Sequence, residues 1–197
     1  FFKRMFDIVG SIIGLILASP LMFYVAYRIR KEEPGSPIFF CHTRVGKNGK
    51  TFKMYKFRSM CLDAEEKLEE LLDQNEIEGA MFKMKEDPRV TKIGKIIRAK
   101  SIDELPQLWN VLKGDMSLIG PRPPLEREVA EYTIYDLQRL YVKPGCSGLW
   151  QVSDRNNVSF HKMIELDLEY IGHRSLMYDL RLILKTFYVI VKPNGAY

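Results

Sequence analysis

Cysteine and histidine are scarce in this chain, and the patterns they fail to form exclude several chemistries. The three cysteines, Cys41, Cys61 and Cys146, show no paired or metal-like spacing, so neither a disulfide framework nor a zinc site is expected and a reducing compartment is the default. The three histidines, His42, His161 and His173, lie near no triad or metal-ligand spacing and read as surface or packing residues. No Gly-x-Ser-x-Gly elbow and no Cys/His pair occurs, which argues against acyl transfer. Repeats and low-complexity tracts are lacking too. The basic residues are scattered and match no nucleic-acid-binding motif, so nucleic acid is not an expected partner. A secretory signal is disfavoured, because the apolar N-terminal run is too long and no small-residue cleavage site follows it.

What is present fits one domain with a core of its own, at 197 residues. The formal net charge of +5 points to an anionic partner, either lipid head groups or a phosphorylated substrate. The chain begins with Phe1 rather than Met, and the expectation is the C-terminal part of a longer protein.

From Met5 to Tyr27 the only formal charge is Asp7. That length suffices for a bilayer-crossing helix. Lys3 and Arg4 flank it on one side, and Arg28, Arg30 and Lys31 on the other. Since basic residues collect on the cytoplasmic face, both ends are expected there. Ser19-Pro20 sits inside the run, where proline frees a carbonyl and favours a kink, and a serine hydroxyl can serve that carbonyl. A re-entrant helix therefore ranks ahead of a straight span, and both rank ahead of a buried core helix.

Downstream, Pro37 to Cys41 and Thr51 to Met60 read as strands around an Asn48-Gly49 turn, with Lys56 and Arg58 on one face. Asp63 to Gln74 reads as an acidic surface helix and 75–87 as a connection. From Pro88 to Ala99 a basic amphipathic helix is predicted, either lying on a membrane or with a solvated polar face. Leu125 to Tyr141, Val158 to Ile171 and Leu176 to Lys192 read as further helices, and Gly148 to Asn157 as loop. Asp167 and Asp179 interrupt apolar stretches, so each is either ion-paired or a substrate contact. The fold class is α+β, helix-dominated, with a β-hairpin.

The most informative stretch is Ser101-Ile102-Asp103-Glu104-Leu105-Pro106-Gln107-Leu108, followed by Gly120-Pro121-Arg122-Pro123. Leu105, Leu108, Trp109 and Leu112 recur at helical spacing, and Gly114 closes that helix. Ser101 and Glu104 have capping-box spacing, and on its own the pair reads first as a helix cap. The alternative is an acid that attacks phosphorus or holds a divalent cation. Lys56, Arg58, Arg98, Arg122 and Arg155 supply the positive charge phosphoryl chemistry needs. Pro121 and Pro123 restrict the Arg122 backbone, so its guanidinium is suited to clamp a diphosphate.

The segment from Arg98 through Pro123, together with Ser19-Pro20, Arg44-Val45-Gly46, Tyr55 to Met60, Pro144-Gly145, Gly148 to Val152 and the tail Gly195-Ala196-Tyr197, closely resembles bacterial sugar transferases, the monotopic polyprenyl-phosphate phosphoglycosyl transferases. The resemblance covers essentially the whole chain. It implies a re-entrant membrane helix over 1–31 and a catalytic domain over 32–197 with a helical insertion at 63–87. Several amphipathic helices would lie on the cytoplasmic face of the bacterial inner membrane. It further implies transfer of a sugar 1-phosphate from a UDP-sugar to undecaprenyl phosphate, releasing UMP and initiating surface polysaccharide synthesis. UDP-glucose and UDP-galactose are the favoured donors, since the length of 63–87 matches the long forms. By resemblance Asp103 is the nucleophile and Mg2+ ligand, and Glu104 its assistant. Arg122 with Pro121 and Pro123 would bind the donor. Lys56, Arg58, Arg98 and Arg155 would contact phosphate, and Asp167 and Asp179 would belong to the surrounding network. Oligomeric state is left open. The rival readings are a membrane-docked scaffold, a phosphohydrolase and a nucleic-acid binder.

Overall fold

The computed structural model describes residues 1–64, 66–67, 84, 87–153 and 159–191. The apolar N-terminal run forms one continuous helix, α1 (Phe2–Glu32), with Pro20 inside it. Pro20 has no N–H to offer the Ile16 carbonyl, and the Ser19 hydroxyl donates to that oxygen instead, at 2.8 Å. One face of α1 packs along the rest of the molecule. Gly10 and Gly14 permit the approach: a Cβ on Gly10 would lie 2.6 Å from Leu118 Cδ1, and one on Gly14 3.1 Å from Leu108 Cδ1. The opposite face leaves Ile12, Ile13, Ile16, Leu17, Leu21 and Phe23 exposed.

Both ends of α1 are tied to the same domain. The predicted basic flank is consumed in packing: Arg4 donates to the Val111 and Leu112 carbonyls at 2.6 and 2.7 Å, and Lys3 Nζ lies 2.6 Å from Asp179 Oδ2. Asp7, only 2% exposed, accepts from the Ser117 hydroxyl at 2.9 Å and the Leu118 N–H at 3.1 Å. At the far end Val25 and Ile29 join Phe57, Ile93 and Ile97 in a core, each contributing about 2 kcal/mol by burial.

The hairpin pairs β1 (Phe39–Val45) with β2 (Thr51–Phe57), from Phe39 opposite Phe57 to Val45 opposite Thr51. Asn48 (φ 56°) and Gly49 (φ 76°) take left-handed conformations in the turn, as the Asn-Gly signal predicts. The strand limits differ from the sequence expectation. β1 starts at Phe39 and runs on to Val45, while β2 stops at Phe57, so Arg58 lies beyond the ladder.

α2 (Lys92–Ala99) is capped by the Thr91 side chain, which accepts from the Gly94 N–H at 2.9 Å. Its first turn is also satisfied from α1, because the Glu32 carboxylate accepts the Lys92 and Ile93 N–H groups at 2.7 and 2.9 Å. The Ile93 and Ile97 face is buried against α1, so that side of the basic helix is not free to lie on a lipid surface. A 3-10 turn (Ile102–Glu104) leads into α3 (Gln107–Lys113), and Gly114 closes it at φ 97°. α3 buries Gln107, Asn110 and Val111 and leaves Trp109 half exposed, so the leucine stripe read from spacing is only partly its inner face.

β3 (Ser117–Ile119) pairs in parallel with β4 (Gly145–Ser147), a small second sheet that the sequence did not suggest. Between them, the single helix expected over Leu125 to Tyr141 is broken. α4 (Glu126–Ala130) ends, Thr133 caps α5 (Ile134–Leu137), and a 3-10 turn follows over Gln138–Tyr141. Thr133 accepts from the Asp136 N–H and Asp136 accepts from the Thr133 N–H, a reciprocal cap that restarts the chain. The segment read as a loop after Gly148 opens with α6 (Leu149–Ser153). α7 (Phe160–His173) and α8 (Leu176–Val191) complete the chain. Most of the 63–87 insertion, Arg155 and the tail Gly195 to Tyr197 lie outside the described residues.

Candidate active site

The acidic pair does not cap a helix. Ser101 sits in the left-handed region (φ 54°) with no side-chain cap bond, and Glu104 spends its carboxylate on Lys56. Asp103 and Glu104 instead occupy the 3-10 turn, one short step before α3. The turn is held from below by Ile102, which packs on the Val25–Ile29 core, and from ahead by the buried ring of Pro106. The capping-box reading is therefore overturned. Its physical cause is the left-handed Ser101, which reverses the chain too sharply for an N-cap side chain to reach N3.

Lys56 faces this turn from β2. Its Nζ lies 2.7 Å from Glu104 Oε1 and 3.8 Å from Asp103 Oδ2. The strand is locked beside it by Asn110 of α3. The Asn110 Oδ1 accepts the Tyr55 N–H at 3.0 Å and its Nδ2 donates to the Lys53 carbonyl at 2.7 Å. Asp103 is 8% exposed. Burial, reinforced by Glu104 and opposed by Lys56 and Arg98, pushes its carboxyl up to about 6. A buried carboxylate with an ammonium just beyond hydrogen-bond range is ionised at neutral pH yet poorly compensated, a condition suited to a nucleophile or a metal ligand.

A second group of charges adjoins this pair. Arg44 of β1 donates to the Pro123 carbonyl at 3.2 Å. Burial and neighbouring Arg122 lower its guanidinium to about 10, while Glu128 and Glu104 act in the opposite direction, so it stays charged. Its Nε is buried without a hydrogen-bond partner. Arg122 Nη1 lies 3.3 Å from each Glu128 oxygen. Pro121 and Pro123 are buried on either side of it. Arg139 supports the same segment by donating to the Arg122 carbonyl at 3.3 Å. Arg139 is fully buried, bonds the Tyr132 hydroxyl at 2.6 Å, and forms a short ion pair with Asp167.

The sequence-predicted residues thus divide. Asp103 and Glu104 both lie within ion-pair range of Lys56, Arg98 acts on Asp103 through its charge, and Arg122 acts on Arg44 rather than on the acidic pair. Asp167 is ion-paired, so of its two readings the structural one is realised. Asp179 belongs elsewhere: it pairs with Lys3 and accepts the Tyr170 hydroxyl at 2.7 Å. Arg58 turns its Nε to the Pro37 carbonyl at 2.9 Å. Arg44, Asn110 and Arg139 were missed as individual positions. Arg44 and Asn110 fall within the segments that carry the family resemblance, and Arg139 showed only as a lone cation between Leu137 and Leu140.

Among the described residues no cluster of three or more His, Cys, Asp or Glu side chains could hold a metal ion. Mg2+, however, is commonly held by one or two carboxylates together with substrate phosphates. Asp103 with Glu104 fits that mode.

Sequence comparison gives the family. The chain belongs to the bacterial sugar transferases, matching that family over residues 1–193. It is 49% identical to the galactosyl transferase CpsE of Streptococcus agalactiae over 98% of this chain and 43% of CpsE. It is 47% identical to the undecaprenyl-phosphate galactose phosphotransferase of Salmonella typhimurium over 100% of this chain and 42% of that protein. With the UDP-galactose-lipid carrier transferase of Erwinia amylovora the identity is 43%, over 99% of this chain and 42% of the relative. The chain therefore spans about two-fifths of the length of these relatives.

Proposed function

We propose that this chain is the catalytic part of an enzyme that transfers a hexose 1-phosphate from a UDP-sugar to undecaprenyl phosphate at the cytoplasmic face of the bacterial inner membrane. The observation that carries this reading is the buried, under-compensated Asp103 beside Lys56, next to Glu104, whose charge reaches Arg44. The relatives' names favour galactose as the sugar.

Asp103 attacks the phosphorus that bears the sugar. A bond forms between its carboxylate oxygen and that phosphorus, the bond to the UMP oxygen breaks, and UMP leaves with the electron pair. An oxygen of the acceptor phosphate then attacks the same phosphorus and the aspartyl bond breaks. That step gives undecaprenyl-diphosphate-sugar and restores the carboxylate. Lys56 and Arg98 favour the ionised nucleophile, while Arg44 and Arg122 face the negative charge of the diphosphate. Glu104 positions Lys56 and is placed to take a proton from the acceptor phosphate. Mg2+, when bound by Asp103 and Glu104, would neutralise phosphate charge and make UMP a better leaving group.

The proposed membrane arrangement rests on α1. Both its ends bind one domain, which supports entry and return on one side of the bilayer over a straight span. The exposed row of Leu176, Met177, Leu180, Leu184 and Phe187 on α8 suits a helix lying at the surface.

The test is UMP release from UDP-galactose and UDP-glucose with Mg2+ and undecaprenyl phosphate. Acceptor-dependent release that disappears in Asp103→Asn is expected. Sustained release without acceptor would assign a hydrolase, and activity retained by Asp103→Asn would refute the nucleophile.

A further inference from the structure

A cavity of about 530 Å³ lies away from the acidic pair, where the start of α1 meets Ser117, Lys143 and the α7–α8 junction. Neither Asp103 nor Glu104 lines it. The pair precedes the N-terminal end of α3, whereas Arg4, on the cavity wall, binds the carbonyls at that helix's C-terminal end. The acids on the wall, Asp7 and Asp179, are already matched by Lys3. Lys47, Lys143 and Arg174 also face the cavity and have no ion-pair partner among the described residues. Lys143 stands close to Arg4, since a Cβ on Gly114 would meet Arg4 Nη2 and Lys143 Nζ at 3.3 Å each. Burial and Arg4 both push the Lys143 ammonium down. Unbalanced positive charge gathered in a concave site is suited to an anion.

The cavity has an apolar annex. A groove of about 270 Å³ is formed by Phe2, Met5, Phe6 and Val9 of α1 and by Leu176, which also lines the cationic cavity. Phe2, Met5 and Val9 are at least half exposed, and they lie on the helix whose outward face is apolar throughout. A cationic chamber and an apolar groove that share Leu176 as a wall are together complementary to a phosphate head carrying a hydrocarbon chain. A soluble phosphate would leave the groove unused.

We propose that this two-part cavity binds an anionic glycerophospholipid, with the phosphate among Lys47, Lys143 and Arg174 and an acyl chain along Met5, Val9 and Leu176. Because neither Asp103 nor Glu104 lines it, it is a resident-lipid site rather than the place of the acceptor. Only the membrane-facing reading of α1 is required, and the transfer chemistry is not.

The test measures phosphatidylglycerol bound to the purified chain in mixed detergent micelles, by native mass spectrometry and titration. Three proteins are compared: wild type, the triple variant Lys47→Gln/Lys143→Gln/Arg174→Gln, and Met5→Glu. Wild type binds phosphatidylglycerol in preference to phosphatidylcholine. The triple variant binds it about a hundredfold more weakly, and Met5→Glu about tenfold more weakly. Undiminished binding in the triple variant overturns the proposal. Displacement of the lipid by millimolar inorganic phosphate would assign a soluble-phosphate site, and displacement by stoichiometric undecaprenyl phosphate an acceptor site; either overturns it. UMP release retained by the triple variant shows that it folds. Lipid binding that follows expectation in a protein without UMP release would leave this site standing while the transfer reading fell.

Discussion

Two buried carboxylates flank α3, and they are held in opposite ways. Asp7, beyond its C-terminal end, is 2% exposed, and Asp103, before its N-terminal end, is 8% exposed. Asp7 accepts from a hydroxyl and a backbone N–H and lies 3.5 Å from Lys3. Asp103 has its ammonium at 3.8 Å, and that ammonium is closer to Glu104. One acid fastens a helix to the domain. The other is left with chemical potential to spend, at a cost in stability. Burial alone does not make a functional carboxylate; incomplete compensation does.

The sharpest way to break this contrast is to exchange each acid for a neutral residue. Asp103→Asn is expected to lower acceptor-dependent UMP release on the order of 10⁴-fold or more, the scale seen when a nucleophile is removed. The fold is preserved, because a poorly compensated charge is lost. Urea unfolding at pH 7.5 should find this variant no less stable than wild type; marked destabilisation would make Asp103 an anchor like Asp7.

Asp7→Ala inverts the pattern. It strands the buried Ser117 hydroxyl and the Leu118 N–H, while Lys3 keeps Asp179. About 3 kcal/mol of stability is expected to go, a fall in Tm of about 10 °C. The protein that remains folded should turn over at close to the wild-type rate. A collapse of kcat without a fall in Tm would move Asp7 to the chemistry.

The pH dependence separates the two further. Burial pushes the Asp103 carboxyl up from its ordinary 3.8 to about 6 in the folded state. The folded state therefore holds its proton longer than the unfolded chain, and stability is lost as pH rises from about 4 to about 6. Over that window the loss is about 3 kcal/mol, and Asp103→Asn should not show it. Activity runs the other way, rising through about pH 6 as the nucleophile ionises. Lys56 favours the carboxylate, so Lys56→Met should move that midpoint upward by about one unit. An unmoved midpoint would mean that Lys56 does not act on Asp103.

How far these two regions were legible in the sequence differs for a physical reason. The Asp103–Glu104 turn, Pro121-Arg122-Pro123 and the Asn48-Gly49 hairpin are local patterns, and their residue types state their conformational needs. Asp7 stood out only as a charge in an apolar run, because its partners lie 110 and 111 residues away. Asn110 likewise reaches back 55 residues to fix β2. The parallel pairing of β3 with β4 joins strands of three residues each, too short for any alternation to emerge. The break in Leu125 to Tyr141 was legible in principle. Thr133 and Asp136 have reciprocal-cap spacing, but the apolar periodicity around them masked it.

The smallest expected effect concerns what surrounds α1. Pro20 frees the Ile16 carbonyl, and the Ser19 hydroxyl serves it at 2.8 Å. Where water reaches that carbonyl, Ser19→Ala costs little, since water replaces the hydroxyl. In an apolar surrounding no replacement exists, and the loss is about 1 kcal/mol. Ser19→Ala is therefore expected to lower the unfolding temperature of protein in lipid bilayers by a few degrees, with Ser19→Thr restoring it. An equal stability of Ser19→Ala and wild type in bilayers would place the Ile16 carbonyl in water. The helix would then be a surface element over its middle as well as at its two anchored ends, and Asp7 would hold a strap against the domain rather than one arm of a membrane loop.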